Sequence, residues 1–175
     1  SMGSGGTIYS IWKGFKELQA LGKVDKLPRM VGVQASGCAS IVEAHLQNES
    51  KPVAILKPST HALGILVGNP LNGKWALQAI KESEGAAVTV LDSEIFIAEQ
   101  EIARLEGNFA EPASSAAVAA LKKLVRQGVI EEKDTVVCLI TGSGLKATDV
   151  LQALAKKRKT AVVGLELSTK EKILR

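Results

Sequence analysis

Residues 29–37 read RMVGVQASG, an aliphatic run that ends at a serine–glycine turn. Residues 38–47 follow at once and carry apolar side chains at helical spacing. A strand, a tight turn and a helix in this order form the unit from which parallel sheets are built. This stretch therefore predicts a strand over residues 29–35 and a helix over residues 38–47.

The same order of elements recurs along the chain. Further strands are predicted over residues 86–91 (AAVTVL), 134–141 (DTVVCLIT) and 161–167 (AVVGLEL), and further helices over residues 8–21, 74–81 and 146–156, after Ser93 as far as Gly107, and after Ser115 as far as Gly128. Strands that alternate with helices predict an α/β fold, in which helices cover both faces of a parallel sheet to give three layers.

The connections between these elements carry their own signals. Residues 48–73 contain three prolines and three glycines, and they predict a loop with one short extended segment at residues 64–67. Asp92 and Ser93 precede a helical pattern, so either side chain is expected to cap the first turn of that helix.

The composition is that of a globular protein with one domain. The chain has 175 residues, of which 46% are hydrophobic and 3% are aromatic, so the core is expected to be aliphatic. It has neither a signal-peptide pattern nor an apolar run of 18 residues, and no membrane partner is expected. Cys38 and Cys138 lack the spacing of zinc ligands, so we expect two reduced thiols, no metal and a cytoplasmic location.

The net charge of +4 is spread thinly except at residues 156–159, which read KKRK. This cluster lies at the end of a predicted helix, where positive charge complements the helix dipole. No aromatic residue interleaves with it, and we therefore expect a solvated helix end rather than a nucleic-acid site.

A glycine-rich loop precedes the first predicted helix. It consists of Gly3, Ser4, Gly5, Gly6 and Thr7. Small residues allow several backbone N–H groups to turn toward one point, and a helix start adds the positive end of its dipole. The loop therefore predicts a site for a phosphate or another compact anion, although residues 1–5 also resemble the remnant of a cloning vector.

Three loops are expected to share one rim of the sheet. Residues 3–7, 34–37 and 141–144 each begin a predicted helix, and the last two also follow predicted strands. Ligands of open parallel sheets bind beyond the carboxyl ends of the strands. The convergence of these loops predicts one binding site.

Five segments, in this order, resemble threonine synthase and, more broadly, the fold-type-II pyridoxal-phosphate enzymes related to the tryptophan synthase β-subunit. The segments are GSGGTIYSIWKGFKEL (3–18), KLPRMVGVQASGCASIV (26–42), GNPLNGKWAL (68–77), EPASSAAVAALKKL (111–124) and VVCLITGSGLK (136–146).

The resemblance implies a cofactor, pyridoxal 5'-phosphate, and residues that hold it. Gly3, Ser4, Gly5, Gly6 and Thr7 match the family's loop for the cofactor phosphate. Thr141 matches the hydroxyl that meets the pyridine nitrogen, with Ser143 as the second candidate. A neutral hydroxyl would leave that nitrogen unprotonated and favour elimination and replacement over transamination. The alternative for Thr141 is a hydroxyl that only caps the next turn.

Other polar residues near the rim receive smaller roles. Gln34 and Ser36 are placed to approach the site, and Glu111 is expected to supply negative charge at a helix N-terminus. His45 and His61 are expected to be structural.

The resemblance implies that the parent protein converts O-phospho-L-homoserine and water to L-threonine and phosphate, as a homodimer that acts on a small amino-acid phosphate. The family's Schiff-base lysine lies in an N-terminal half that these 175 residues do not match. No catalytic residue is therefore expected here, and the chain alone should be inactive. Residues 1–167 would be the C-terminal portion of the catalytic domain. Residues 168–175 (STKEKILR) would start an extension that resembles a winged helix, and nucleic acid is not an expected partner unless the full chain contains that extension.

Several alternatives stay open. Threonine dehydratase and cysteate synthase belong to the same class of enzyme, and this half of the chain does not separate them. A nucleotide-binding module would place a nucleotide phosphate in the loop, but the chain has neither GxxxxGK[ST] nor the full GxGxxG pattern. A DNA-binding regulator would use the basic cluster at residues 156–159.

Overall fold

The computed structural model describes residues 1–146. Its helices are α1 (Gly6–Ala20), α2 (Ser40–Leu46), α3 (Gly73–Glu82), α4 (Asp92–Glu106) and α5 (Pro112–Arg126), and its strands are β1 (Val31–Ala35) and β2 (Ala86–Val90). Short 3₁₀ turns occupy Ser36–Cys38, Leu63–Ile65 and Gly144–Lys146. Among the described residues, no helix is long and apolar enough to cross a membrane.

The two strands form a parallel pair. Val31 faces Ala86 and Ala35 faces Val90, without a bulge between these positions. The chain passes from β1 to β2 through α2 and α3, the helical crossover that parallel pairing requires. The sequence predicted both strands, although β1 begins two residues later than expected.

Helices cover both faces of this strand pair. One face contributes Val33, Ala35, Val88 and Val90 to a core that includes residues of α4 and α5. The other face contributes Ala87 to a core that includes residues of α1, α2 and α3. The three layers confirm the predicted α/β class, and the aliphatic core follows from the scarcity of aromatic residues.

The first residues of the chain lie beside β1. The Met2 amide donates a hydrogen bond of 2.7 Å to the Val33 carbonyl, and a β-carbon on Gly32 would stand 2.4 Å from the Met2 sulfur. The side chain of Met2 is 2% exposed. This contact fixes the glycine-rich loop against the central strand.

Residues 134–141, which the sequence predicts as a strand, belong to no strand among residues 1–146. These residues form no ladder with β1 or β2. Residues 135–139 instead line an apolar cavity of about 600 Å³, with Val31 and Val33 of β1 among its other walls. An apolar run needs a neighbouring strand to satisfy its amides and carbonyls, and none of the described residues supplies one.

The predicted strand over residues 161–167 and nearly all of the predicted helix over residues 146–156 lie outside the described residues. Lys146, the first residue of that helix in the prediction, ends a 3₁₀ turn.

Two local predictions are also corrected. Residues 64–67 are not extended, because the amides of Ile65 and Leu66 bond back to residues 62 and 63 in a 3₁₀ turn. Neither Asp92 nor Ser93 is the N-cap of α4, which is Leu91. The Glu94 carboxylate accepts the Leu91 amide at 2.7 Å and takes over the capping role.

Asp92 serves a different purpose. Its carboxylate accepts hydrogen bonds from the Thr60 hydroxyl and, at 3.0 Å, from the His61 amide. Asp92 thereby fixes the loop that leads into residues 63–67, which separates two parts of the candidate site.

Candidate functional site

The glycine-rich loop is tightly bent at the start of α1. Gly5 is the N-cap of α1 and has φ +90, in the left-handed region that favours glycine. A β-carbon on Gly5 would stand 2.8 Å from the Ala76 β-carbon and 2.9 Å from the Asn72 carbonyl oxygen. Backbone conformation and space both therefore require glycine at this position.

The loop presents backbone donors to its surroundings. Among residues 1–146, none accepts a hydrogen bond from the amides of residues 3–7, and α1 has no side-chain cap. The hydroxyls of Ser4 and Thr7 belong to the same loop, and Thr7 is exposed. Free amides at a helix start are the donors that a phosphate takes.

A second helix begins beside this loop. The Asn72 amide donates to the Ser4 carbonyl at 2.9 Å, and α3 begins one residue later. The side-chain nitrogen of Asn72 lies 3.3 Å from the place where a β-carbon on Gly6 would stand. The first turns of α1 and α3 therefore meet at the loop, and both bring the positive end of a helix dipole.

Residues 64–67 connect the glycine-rich loop to the start of α5. A β-carbon on Gly3 would stand 3.1 Å from a Val67 methyl group and 3.2 Å from the Gly64 carbonyl oxygen. On its other side, Gly64 lies close to Ala113 and Glu111: its own β-carbon would be 2.9 Å from the Ala113 β-carbon and 3.6 Å from Glu111 Oε1. The loop and the α5 N-terminus thus flank one short segment.

Cys38 contacts residues 64–67 through a hydrogen bond to its sulfur. The Val67 amide donates to the Cys38 sulfur at 3.1 Å, and burial raises the pKa of the Cys38 thiol. The raised pKa keeps the sulfur as a neutral thiol at neutral pH, which suits a packing and hydrogen-bonding role.

Thr141 lies at the α5 N-terminus, held by the backbone and by Ser114. The Glu111 amide donates to the Gly142 carbonyl at 2.9 Å. The Thr141 and Gly142 amides donate to Ser114 Oγ at 3.0 and 2.8 Å. The Thr141 residue itself is exposed, and its Oγ1 lies 3.0 Å from Ser114 Oγ.

The negative charge of Glu111, which lies near Thr141, is paired with the positive charge of Lys146. The Glu111 carboxylate packs against Gly142, where an added β-carbon would stand 2.2 Å from Oε1. It pairs with Lys146 Nζ at 3.3 Å. Glu111 is the N-cap residue of α5, without a side-chain cap, which agrees with the charge role expected from the sequence.

The remaining sequence candidates do not face this site in the same way. Ser143 is exposed, and its hydroxyl accepts the Leu145 amide at 3.3 Å within its own turn. Gln34 is fully buried, and its Oε1 accepts the Ile41 and Val42 amides at 2.9 and 3.0 Å. Gln34 thus caps the first turn of α2 through its side-chain oxygen, and its approach to a ligand stays a prediction.

The structure thus places the predicted phosphate loop and Thr141 on two sides of residues 64–67. Ser36 is exposed in the 3₁₀ turn after β1, and its side chain has no hydrogen-bond partner among residues 1–146. Sequence reasoning missed Asn72 and Ser114. The available signals were an asparagine just before a helix and a polar residue in the first turn of an alanine-rich helix.

Comparisons with known proteins identify the family to which this sequence is similar. Residues 1–142 match the family described as pyridoxal-phosphate dependent enzyme. The chain is 45% identical over 148 residues to the threonine synthase of Methanocaldococcus jannaschii, covering 85% of this chain and 36% of that protein. It is 48% identical over 145 residues to the threonine synthase of Methanosarcina acetivorans, covering 83% of this chain and 36% of that protein. The chain thus spans little more than a third of the length of these relatives.

Solved structures with lower sequence identity share the fold. The processed form of threonine deaminase isoform 2 from Solanum lycopersicum has a TM-score of 0.67 at 18% identity, covering 91% of this chain and 43% of that one. A fungal L-serine ammonia-lyase from Rhizomucor miehei has a TM-score of 0.65 at 18% identity, covering 87% of this chain and 47% of that one. At this level of identity the likeness extends to the fold alone.

Proposed function

This chain belongs to the pyridoxal-phosphate dependent enzymes, and from that premise we propose that it is a cofactor-binding part of a threonine synthase. The parent protein would convert O-phospho-L-homoserine and water to L-threonine and phosphate, as a lyase that acts on a carbon–oxygen bond. The observation that carries this proposal is the identity of 45% and 48% to two threonine synthases over most of the chain.

The residues of the glycine-rich loop fit the cofactor's phosphate. The amides of residues 3–7 have no acceptor among the described residues, and the starts of α1 and α3 meet beside them. A phosphate dianion would satisfy these donors and take up the two helix dipoles. Gly3, Ser4, Gly5, Gly6 and Thr7 are therefore our proposed phosphate ligands.

The setting of Thr141 fits the other end of the cofactor. When bound, pyridoxal phosphate withdraws electrons from an amino acid and so allows its substituents to leave and be replaced. Thr141 offers a neutral hydroxyl, and the nearby Glu111 carboxylate is paired with Lys146. A neutral partner does not stabilise a proton on the ring nitrogen, which supports replacement chemistry over transamination.

The remaining elements of the proposal concern the whole protein. We propose that the chain alone is inactive, because the lysine that bonds to the cofactor is expected outside these 175 residues. We also propose a homodimer that binds a small amino-acid phosphate. Cys38 and Cys138 are both unpaired thiols, which supports action in a reducing compartment, the cytoplasm.

The test uses the purified full-length parent protein. Its visible absorbance reports bound pyridoxal phosphate, and phosphate release is measured with O-phospho-L-homoserine. O-phospho-L-serine with sulfite tests for a cysteate synthase, and ammonia release from L-threonine tests for a dehydratase.

Phosphate release coupled to L-threonine formation supports the proposal. Preferred turnover of either competing substrate would assign the protein to another activity in the same family. A protein that takes up no cofactor even after its addition would overturn the proposal altogether.

A further inference from the structure

We propose that Ser114 is a positioning residue, which fixes the Thr141 hydroxyl as a hydrogen-bond donor toward the pyridine nitrogen of the cofactor. This inference rests on the proposed function, because it takes Thr141 as the partner of that nitrogen. It adds a residue of α5 to those that determine which hydrogen bond the pyridine nitrogen receives.

Ser114 lies in the first turn of α5 and is 0% exposed. Its Oγ stands 3.0 Å from the Thr141 amide nitrogen, 2.8 Å from the Gly142 amide nitrogen and 3.0 Å from Thr141 Oγ1. The Gly142 carbonyl oxygen is farther away, at 3.4 Å. One buried hydroxyl therefore meets both backbone and side chain of the Thr141–Gly142 turn.

A count of protons and lone pairs sets the direction of these bonds. A serine hydroxyl has two lone pairs and one proton. Both lone pairs accept backbone amides, those of Thr141 and Gly142, so Ser114 has no lone pair left to accept the Thr141 hydroxyl. Its proton must therefore be donated, and the nearer acceptor is Thr141 Oγ1.

The competing acceptor is already engaged. The Gly142 carbonyl accepts the Glu111 amide at 2.9 Å, a shorter contact than its 3.4 Å separation from Ser114. Donation from Ser114 to Thr141 Oγ1 is thus the arrangement that leaves the fewest groups without partners.

This arrangement leaves the Thr141 proton free to be donated. No described residue accepts it, and Thr141 is exposed whereas Ser114 is buried. An unprotonated pyridine nitrogen is an acceptor that lacks a proton of its own, so the two groups match. Ser114 would also strengthen that bond, because a hydroxyl that accepts one hydrogen bond becomes a better donor of the next.

Neighbouring backbone hydrogen bonds hold Ser114 and Thr141 in place relative to each other. The Gly144 amide donates to the Phe109 carbonyl at 2.8 Å, and Ala110 and Ser143 form an antiparallel bridge. These bonds tie residues 109–111 to residues 142–144. The Ser114–Thr141 contact therefore sits in a fixed turn and does not depend on a flexible side chain.

The test compares Ser114→Ala with Ser115→Ala in the full-length protein. Ser115 is the matched control, because it is also 0% exposed but donates only to the Glu111 carbonyl of its own helix, at 3.1 Å. Two readouts are used. The first is hydrogen exchange of the Thr141 and Gly142 amides in the protein without cofactor. The second is the ¹⁵N NMR signal of bound pyridoxal phosphate that carries ¹⁵N at its pyridine nitrogen.

We expect Ser114→Ala to accelerate exchange of both amides and to move the ¹⁵N signal in the same direction as Thr141→Val. Cofactor dissociation constants should rise about two- to tenfold, the range given by one net hydrogen bond. Ser115→Ala should leave the exchange rates of these amides and the ¹⁵N signal unchanged.

An unchanged ¹⁵N signal in a loaded Ser114→Ala protein would overturn the inference while leaving the proposed function intact. A wild-type protein that binds no cofactor would remove both. Should Ser114→Ala fail to fold, Ser114→Thr and Ser114→Cys take its place. The hydroxyl-bearing variant should keep the wild-type signal and the thiol variant should lose it, and equal signals would contradict the role of Ser114.

Discussion

The Trp12 indole nitrogen donates a hydrogen bond of 2.8 Å to the Glu82 carboxylate, from the middle of α1 to the last residue of α3. These are the two helices whose first turns meet at the glycine-rich loop, where the Asn72 amide bonds to the Ser4 carbonyl. Because α1 and α3 are joined at two levels, their N-termini are held at a fixed separation. A phosphate site built from two helix ends depends on that separation.

The first prediction concerns the charge at this junction. Lys16, then Trp12 and then Gln78 donate to the Glu82 carboxylate and lower its pKa to about 2. A carboxyl group with a depressed folded-state pKa stabilises the protein above its unfolded pKa and loses that contribution as the pH falls toward the folded value. Glu82→Gln should therefore lower the free energy of unfolding at pH 7 and narrow its difference from wild type toward pH 2.

The effect should stay below about 1 kcal/mol, because this carboxylate is partly exposed and water screens it. Denaturant unfolding at several pH values checks the prediction. Glu106→Gln, at the exposed end of α4, removes a carboxylate of the same type and serves as the control, and it should leave the free energy of unfolding at pH 7 close to that of wild type. A Glu82→Gln protein with wild-type stability at pH 7 would show that the negative charge of Glu82 contributes nothing measurable.

A second prediction uses two glycines near the start and the middle of α1, with opposite expected effects. Gly5→Ala places a β-carbon at φ +90 and 2.8 Å from Ala76, so it should destabilise the protein by more than about 1 kcal/mol and weaken cofactor retention. Gly14 lies within α1 with nothing within 4 Å of an added β-carbon. Gly14→Ala should stabilise the helix by about 0.5–1 kcal/mol.

Thermal unfolding and cofactor dissociation of the two variants provide the measurement. Shifts of opposite sign are expected in stability, with loss of the cofactor confined to Gly5→Ala. Equal behaviour of the two variants would mean that the loop can relax, and that Gly5 is not required by its conformation.

A third prediction concerns a carboxylate inside the core. Glu99 of α4 is 1% exposed, neither of its oxygens has a partner among the described residues, and burial raises its pKa. A carboxyl group with a raised folded-state pKa costs nothing below its unfolded pKa, and it destabilises the protein increasingly as the pH rises from its unfolded toward its folded pKa. Glu99→Met should remove this pH dependence and raise the free energy of unfolding at pH 7 by about 1–3 kcal/mol.

Unfolding of the full-length protein between about pH 4 and about pH 8 separates the two cases, since this window spans the usual glutamate pKa and its raised values. If Glu99→Met instead unfolds more easily at pH 7, a cation or donor from elsewhere in the full-length protein must pair with Glu99.

The elements that the sequence predicted are those whose signal is local. The helix over residues 8–21 and the strand over residues 86–91 appear nearly as expected, as α1 and β2, because apolar spacing within one segment already defines them. Residues 134–141 carry an equally clear apolar run, but a strand exists only when another strand lies beside it. Its pattern therefore could not decide its structure.

The site shows the same division. The glycine-rich loop could be read from residues 3–7 alone, because small residues before a helix have a local meaning. The roles of Ser114 and Gln34 could not be predicted from the local sequence. Ser114 contacts Thr141, which is 27 positions away, and Gln34 caps α2 from its position in β1. These contacts are set by how the helices pack on the strands, which one sequence does not reveal.

The last prediction tests which hydroxyl meets the ring nitrogen. Thr141→Asp introduces a carboxylate, which stabilises a proton on that nitrogen and makes the ring a stronger electron sink. In the full-length protein this change should lower the rate of threonine formation and increase conversion of the cofactor to its amine form. Absorbance of the cofactor and product analysis measure both quantities. Ser143→Asp is the matched control, since Ser143 is also exposed but its hydroxyl serves its own turn by accepting the Leu145 amide. If Ser143→Asp rather than Thr141→Asp produces the amine form, the ring nitrogen faces Ser143, and the roles of the two hydroxyls must be exchanged.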